Sequence, residues 1–321
     1  SWIVKRILVR FNDPIKVGQQ TVFLSCRVGA ALYPLDGEDT LTLSRNAGIA
    51  MRRALLDDTL EELRFYSADM VQNSLRTLEI ETGIREALLA NQFQLVFQPI
   101  VNANDTSLRG AETLLRCTSD RLKSLRIDQI IEIAERTSLI ADIDMWVVTN
   151  ALHQMQVWNQ SGIYLPKISI NLSANQITSP DFMDLVLEKI KAAPFSPSRV
   201  QIEVTETAKM GGLEVAAQQL KRLQDIGVHV ALDDFGTGQA SLTYVQRLHP
   251  DVIKIDRSFV DGVNKNHANA TMVAAVTAMA HSLGVTIVAE GVETQEELEF
   301  LRHIQCDDIQ GYFISKPIPA K

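Results

Sequence analysis

A set of carboxylates, amides and one lysine sits where short apolar runs end. Glu112 lies inside Leu108–Leu115, Asn171 near the end of Lys167–Leu172, and Glu203 in Val200–Thr205 with Glu206 just beyond it. Asp233 and Asp234 end the run from Val228, Lys254 falls within Asp251–Asp256, Glu290 ends the run from Val285, and Gln310 lies in Ile309–Phe313. An acid after a strand often caps the next helix, which accounts for Glu293 or Asp256 taken alone but not for the set. Gathered at one mouth, each pair of these charges ~4 Å apart would cost roughly 4 kcal/mol at an effective dielectric near 20. Either some of the acids hold protons or cations lie among them. The donors are carboxylates and the amide oxygen of Asn171, without His or Cys, and hard oxygen donors favour Mg²⁺ or Mn²⁺ over Zn²⁺. Adjacent Asp233 and Asp234 suit two ions with one carboxylate bridging, an arrangement used for hydrolysis of phosphodiesters by water. Lys254 would orient or deprotonate that water, or stabilise the leaving oxygen; the residue types leave all three open.

The runs, with Gln94–Ile100 as the first, alternate with helical stretches at Asp128–Arg136, Ile143–Trp158, Asp181–Ala193, Leu213–Ile226, Ala268–Leu283 and Gln295–Ile304. Eight such runs with helices between most of them predict an α/β chain folded as a (β/α)8, TIM-like barrel, whose C-terminal rim would carry the acids. A doubly wound open sheet is the runner-up, because closure is not written in the order of elements. Residues 1–64 read differently, as an α+β segment. Trp2–Phe11 has helical spacing. Strands at Thr21–Cys26 and Val28–Tyr33 form a hairpin, Pro34–Gly37 turns, and a helix at Leu41–Leu55 has Met51 and Ala54 on its apolar side. Residues 65–90 form a linker helix, so the expected division is 1–64, 65–90 and 91–321.

Composition narrows the function classes. The chain has 321 residues and 46% apolar content, enough for a core and too much for disorder. Its 31 basic against 39 acidic residues give a net charge of −8, and no basic block is present. That argues against a nucleic-acid polymer or an anionic membrane as a partner held by general electrostatics. Cys26, Cys117 and Cys306, odd in number and far apart, suggest no disulfide framework, only reduced thiols of a cytoplasmic protein. No apolar run approaches the ~18 residues of a membrane span, so a soluble chain is expected. The six histidines lie outside every motif, and no Gly-rich nucleotide loop is present.

In order and spacing, Phe97-Gln98-Pro99-Ile100, Glu112-Thr113-Leu114-Leu115-Arg116, Asn171-Leu172-Ser173, Glu203-Val204-Thr205-Glu206, Asp233-Asp234-Phe235-Gly236, Lys254-Ile255-Asp256, Glu290-Gly291-Val292-Glu293 and Gln310-Gly311-Tyr312 resemble the EAL family of cyclic di-GMP phosphodiesterases over about residues 80–321. The resemblance implies a barrel that hydrolyses cyclic di-GMP to linear pGpG with two Mg²⁺ or Mn²⁺ ions. It assigns Glu112, Asn171, Glu203, Asp233 and Asp234 as metal ligands, and Lys254 as the holder and activator of the catalytic water. Glu290 and Gln310 complete that shell, Glu206 fixes the loop after Asp234, and Gln98, Leu114 and Arg116 contact the substrate, Arg116 through a phosphate. It further implies pairing of two copies through the barrel and a place in the cytoplasmic part of a longer, sensor-linked protein. Upstream, Val28–Asp39 and Arg45–Met51 resemble the C-terminal half of a degenerate GGDEF domain that lacks its signature turn. Departures are Thr113 in place of Ala, Cys117 in place of an aromatic residue, Ser138 in place of Gly, and Gln239-Ala240 in the loop after Gly238. Thr118–Arg126 also lacks the usual proline-containing loop. These departures leave a catalytically weak or inactive cyclic di-GMP receptor, signalling through the linker helix, as the alternative. An unrelated metal barrel, such as a lyase acting on a carboxylate, remains only if the resemblance is set aside.

Overall fold

The computed structural model describes residues 4, 6, 14–17, 20–22, 26–56, 63–205, 212–237 and 242–320. Two compact units divide the chain, residues 1–82 and 83–321.

In the first unit, β1 (Ile15–Val17) and β2 (Gln20–Val22) form an antiparallel pair. The expected hairpin between the second and third strands is not what β3 (Val28–Ala30) makes: it pairs in parallel with β4 (Leu63–Phe65), across the intervening α1 (Thr40–Leu56). A parallel pair needs such a crossover, and α1 provides it. Gly29 is required by the packing, since a Cβ there would lie 2.0 Å from the Ala47 carbonyl oxygen. Ala50 and Ala54 of α1 are buried, whereas Met51 faces outward. Of Trp2–Phe11 only residues 4 and 6 are described, and residues 23–25 of the expected Thr21–Cys26 strand lie outside the described residues. A helix is expected over 65–90, and α2 spans Ala68–Leu89.

The second unit is a closed barrel. Its strands are β5 (Phe93–Asn102), β6 (Leu108–Cys117), β7 (Ile168–Asn171), β8 (Val200–Thr205), β9 (His229–Phe235), β10 (Val252–Ile255), β11 (Thr286–Ala289) and β12 (Asp308–Ile309), and β12 pairs back onto β5. From β6 to β12 every neighbour is parallel. β5 is antiparallel to both of its barrel neighbours. The short link between β5 and β6 explains this: Asn102 Oδ1 accepts from the backbone N–H groups of Asn104 and Asp105, a polar turn that reverses the chain. The last pairing on β5 is β13 (Ile318–Pro319). Thr294 opens the helix Gln295–His303 with a reciprocal cap to Glu297.

Strand alternation sorts the side chains into two sets. Ile170, Ile202, Val204, Val230, Leu232, Ile253 and Ile287 are buried on the helix side. The opposite set faces the barrel interior, where Ile100, Ala231, Val252 and Val288 pack into a lower apolar cluster. One step further along the same faces, every strand presents a polar residue.

Candidate metal centre and active site

The upper ring consists of Gln98 on β5, Glu112 on β6, Asn171 on β7, Glu203 on β8, Asp233 on β9, Lys254 on β10, Glu290 just after β11 and Gln310 just after β12. One network connects all eight. Gln310 Nε2 donates to Gln98 Oε1 (3.2 Å) and to Glu112 Oε2 (2.6 Å), and Asn171 Nδ2 donates to Glu112 Oε1 (2.9 Å). Lys254 Nζ lies 2.6 Å from Glu203, 2.6 Å from Glu290, 3.2 Å from Asp233 and 3.5 Å from Glu112. Residues separated by up to about two hundred positions thus meet at one point, because each strand contributes one inward side chain at the same height.

Asp234 breaks the alternation. Consecutive strand residues point to opposite faces, yet oxygens of Asp233, Asp234 and Glu290 lie within 4.8 Å of one another. The backbone at Asp234 adopts φ +53°, and the β9–β10 register shifts by one at this point. This bulge turns the second acid toward the mouth, and Asp233 Oδ1 accepts from the Asp234 N–H (3.0 Å). A non-glycine residue in the left-handed region marks strain held by its surroundings. Oxygens of a second triad, Glu112, Glu203 and Asp233, also lie within 4.8 Å of one another, so Asp233 belongs to both.

Five acids and one ammonium leave a formal charge of −4 here (Glu112, Glu203, Asp233, Asp234 and Glu290 against Lys254). In the protein's own field, burial pushes the Glu203 carboxyl up to about 7 and Asp234 up to about 6. Burial also raises Asp233, and raises Glu290 well above the usual carboxylate range, against the pull of Lys254. Burial would lower Lys254, but Asp233, Glu112, Glu203 and Glu290 outweigh it and hold the ammonium well above its ordinary value. A centre that keeps protons on its acids is one that divalent cations can occupy by displacing them. The donor set fits: all are hard oxygens, and the buried Gln310 Oε1 has no hydrogen-bond partner of its own.

Leu114 and Arg116 follow Glu112 on the same face of β6, partly exposed, and Arg116 Nη1 donates to the Leu115 carbonyl (2.8 Å). Gln98 is buried in the ring, with Nε2 directed to the Ser315 carbonyl (3.2 Å). Glu206 and residues Gly238–Ser241 lie outside the described residues. Asp256 caps a short helix through the Ser258 N–H (2.9 Å), and Glu293 pairs with Arg257 (2.8 Å).

Three further residues hold the centre from behind. Asp144 Oδ2 accepts from the Ser173 N–H (3.0 Å) and hydroxyl (2.7 Å), which fixes the loop after Asn171. The buried Glu297 carboxylate accepts from the N–H groups of Gly262, Glu293 and Thr294, tying down the loop after Glu290. Gln201, two residues before Glu203, donates to Glu203 Oε1 (3.0 Å). Asp144 resembles any acid of an amphipathic helix in the sequence, and Glu297 any capping residue. Gln201 had a signal: it is a polar residue inside an apolar run, in phase with Glu203. Gly311, beside Gln310, passes so close to the chain at 292 that a Cβ would lie 2.1 Å from the Val292 carbonyl oxygen.

Comparison with known proteins decides the family. Residues 82–317 match the EAL domain family. The chain belongs to that family. MucR of Pseudomonas aeruginosa, a bifunctional diguanylate cyclase/cyclic di-GMP phosphodiesterase, is 34% identical over 319 residues, 99% of this chain and 46% of that protein. The cyclic di-GMP phosphodiesterase PdeR of Escherichia coli K12 is 30% identical over 318 residues, 99% of this chain and 48% of that protein. This chain therefore spans less than half the length of these curated relatives. Among solved structures, the PaMucR phosphodiesterase in complex with c-di-GMP superposes with a TM-score of 0.70 at 35% identity, covering 75% of this chain and 98% of that one. The c-di-GMP-bound EAL enzyme Bd1971 also reaches 0.70, at 28% identity, over 79% of this chain and 69% of that one. In this EAL barrel no described helix is long and apolar enough to cross a membrane.

Proposed function

We propose that the chain is a metal-dependent phosphodiesterase that hydrolyses cyclic di-GMP to linear pGpG. The observation that carries this reading is the eight-residue ring, in which two carboxylate triads share Asp233 beside a fully buried Lys254. Glu112, Asn171, Glu203, Asp233 and Asp234 would hold two Mg²⁺ or Mn²⁺ ions. When bound, such ions acidify the attacking water and offset the charge that builds on the phosphate oxygens.

The chain's own groups carry the rest. Water attacks phosphorus, the P–O3′ bond breaks, and the water's proton leaves as the O3′ oxygen gains one. Lys254, held by four carboxylates, orients the water from below. Glu290 and Gln310 complete the shell around it, and the free Gln310 Oε1 accepts a hydrogen bond from the water. Arg116 and Leu114, higher on β6, engage the dinucleotide, with the guanidinium on a phosphate. Gln98 sets the floor of the substrate site through Gln310. Glu206 has the role of fixing the loop after Asp234.

We also read residues 1–64 as the C-terminal half of a degenerate GGDEF domain, 65–90 as the linker and 91–321 as the EAL barrel. The match to bifunctional MucR, which runs over 99% of the chain, supports this. A cytoplasmic location within a sensor-linked protein and pairing through the barrel belong to the same reading.

The test is incubation with cyclic di-GMP and Mg²⁺ or Mn²⁺, followed by chromatography. pGpG should accumulate, and Glu112→Ala should stop it. No product at high enzyme concentration with Mn²⁺ overturns the proposal, and tight binding without turnover points to the receptor instead.

A further inference from the structure

Barrel interiors are filled by Val, Ile and Leu, and the layer beneath the acid ring follows that rule at Ile100, Val252 and Val288. Two adjacent, almost fully buried positions of that layer are polar instead: Ser169 on β7 and Gln201 on β8, which are register partners. Their polar groups are not idle. Gln201 Nε2 lies 3.0 Å from Ser169 Oγ and 3.0 Å from Glu203 Oε1, and Lys167 Nζ reaches Gln201 Oε1 at 3.5 Å. Both amide hydrogens and the amide oxygen are therefore used, so the buried side chain carries no unmet polar group.

The consequence falls on Glu203. This carboxylate is fully buried, and its two oxygens have different partners: Oε1 faces Gln201 below, and Oε2 faces Lys254 at 2.6 Å. A carboxylate bonded on one oxygen only could tilt about its last torsion, carrying its other oxygen out of line with the centre. With an amide donor on the far oxygen, the carboxylate cannot tilt without losing that bond, and its near oxygen stays aimed at the centre. An apolar residue at 201 would fill the space equally well and leave Glu203 free to rotate.

We propose that Gln201 is a positioning residue of the metal centre: its amide fixes the plane of the Glu203 carboxylate, so that one oxygen is always held toward the ions. The inference rests on the metal-dependent reading above, and its test separates the two. The full chain and its Gln201→Met variant, which keeps side-chain length and removes both hydrogen-bonding functions, are titrated with Mn²⁺ alone, and free Mn²⁺ is followed by electron paramagnetic resonance. Thermal unfolding without metal reports the fold.

The expected result is a loss of about 10-fold or more in Mn²⁺ affinity, as partners behind metal ligands generally show. Apo stability should be preserved, and kcat should fall by a similar factor at unchanged KM for cyclic di-GMP. A role in packing alone would not move Mn²⁺ affinity in a folded variant. Equal Mn²⁺ affinity in wild type and variant overturns the inference while leaving the metal reading intact. Wild type that binds no Mn²⁺ overturns both. If Gln201→Met does not fold, Gln201→Leu repeats the measurement, and failure of both to fold shows that Gln201 serves the fold rather than the centre.

Discussion

Lys254→Met removes the one ammonium among four carboxylates while keeping the side-chain length. The contacts at 2.6, 2.6, 3.2 and 3.5 Å are each worth roughly 5–6 kcal/mol gross at an effective dielectric near 20. Most of that is offset by desolvation, and the acids answer loss of the cation by taking up protons, so the net cost is far smaller than the gross attraction. Breaking a buried pair by deleting one partner costs about 3–5 kcal/mol. With a urea dependence of about 2–3 kcal/mol per molar for a unit of this size, the unfolding midpoint should fall by about 1–2 M at pH 7.5 in chelator. Trp146 and Trp158, both on the helix Ile140–Gln160 of the barrel, supply the fluorescence signal. Two conditions should shrink the loss: lowering the pH to 5, where protons neutralise the acids, and saturating Mn²⁺, whose charge replaces the ammonium. A midpoint unchanged by the substitution, or a loss indifferent to both pH and Mn²⁺, would refute the claim that like charges at this mouth need a cation among them.

Two other substitutions probe the surroundings of the ring. Thr113→Val should stabilise the barrel by about 1–2 kcal/mol, read as a raised urea midpoint, because the Thr113 hydroxyl is buried without a partner and valine keeps the shape. Asp144→Asn tests pH linkage: burial pushes the Asp144 carboxyl from 3.8 up to about 7, although Ser173 donates to it. The folded chain then keeps a proton that the unfolded chain has released, so stability falls as pH rises through the window from about 4 to about 7, by on the order of 4 kcal/mol. The asparagine variant lacks this slope, so its midpoint relative to wild type should rise between pH 5 and pH 7.5; parallel curves would contradict the assignment.

The ring was legible because each of its members interrupts an apolar run at a position where hydrophobic side chains are the rule. Polar residues at strand ends are a local signal, and Glu203, Asp233 and Lys254 carry it in plain view. Pairing partners are not local. Nothing in Val28–Ala30 announces that it lies in parallel beside Leu63–Phe65, and nothing in Gln94–Ile100 announces antiparallel pairing except the polar turn at Asn102–Ser107. The bulge at Asp234 is equally hidden, since two adjacent acids on a strand look as though they should diverge. Asp144 was invisible for a different reason: an acid on an amphipathic helix normally faces water, and here it is buried with Ser173 donating to it.

Soaking crystals with Mn²⁺ and collecting anomalous diffraction tests the central claim most directly. The account predicts two peaks, one among Glu112, Glu203 and Asp233 and one among Asp233, Asp234 and Glu290, with Asp233 contacting both. Peaks elsewhere, or none at this mouth at saturating Mn²⁺, would contradict it.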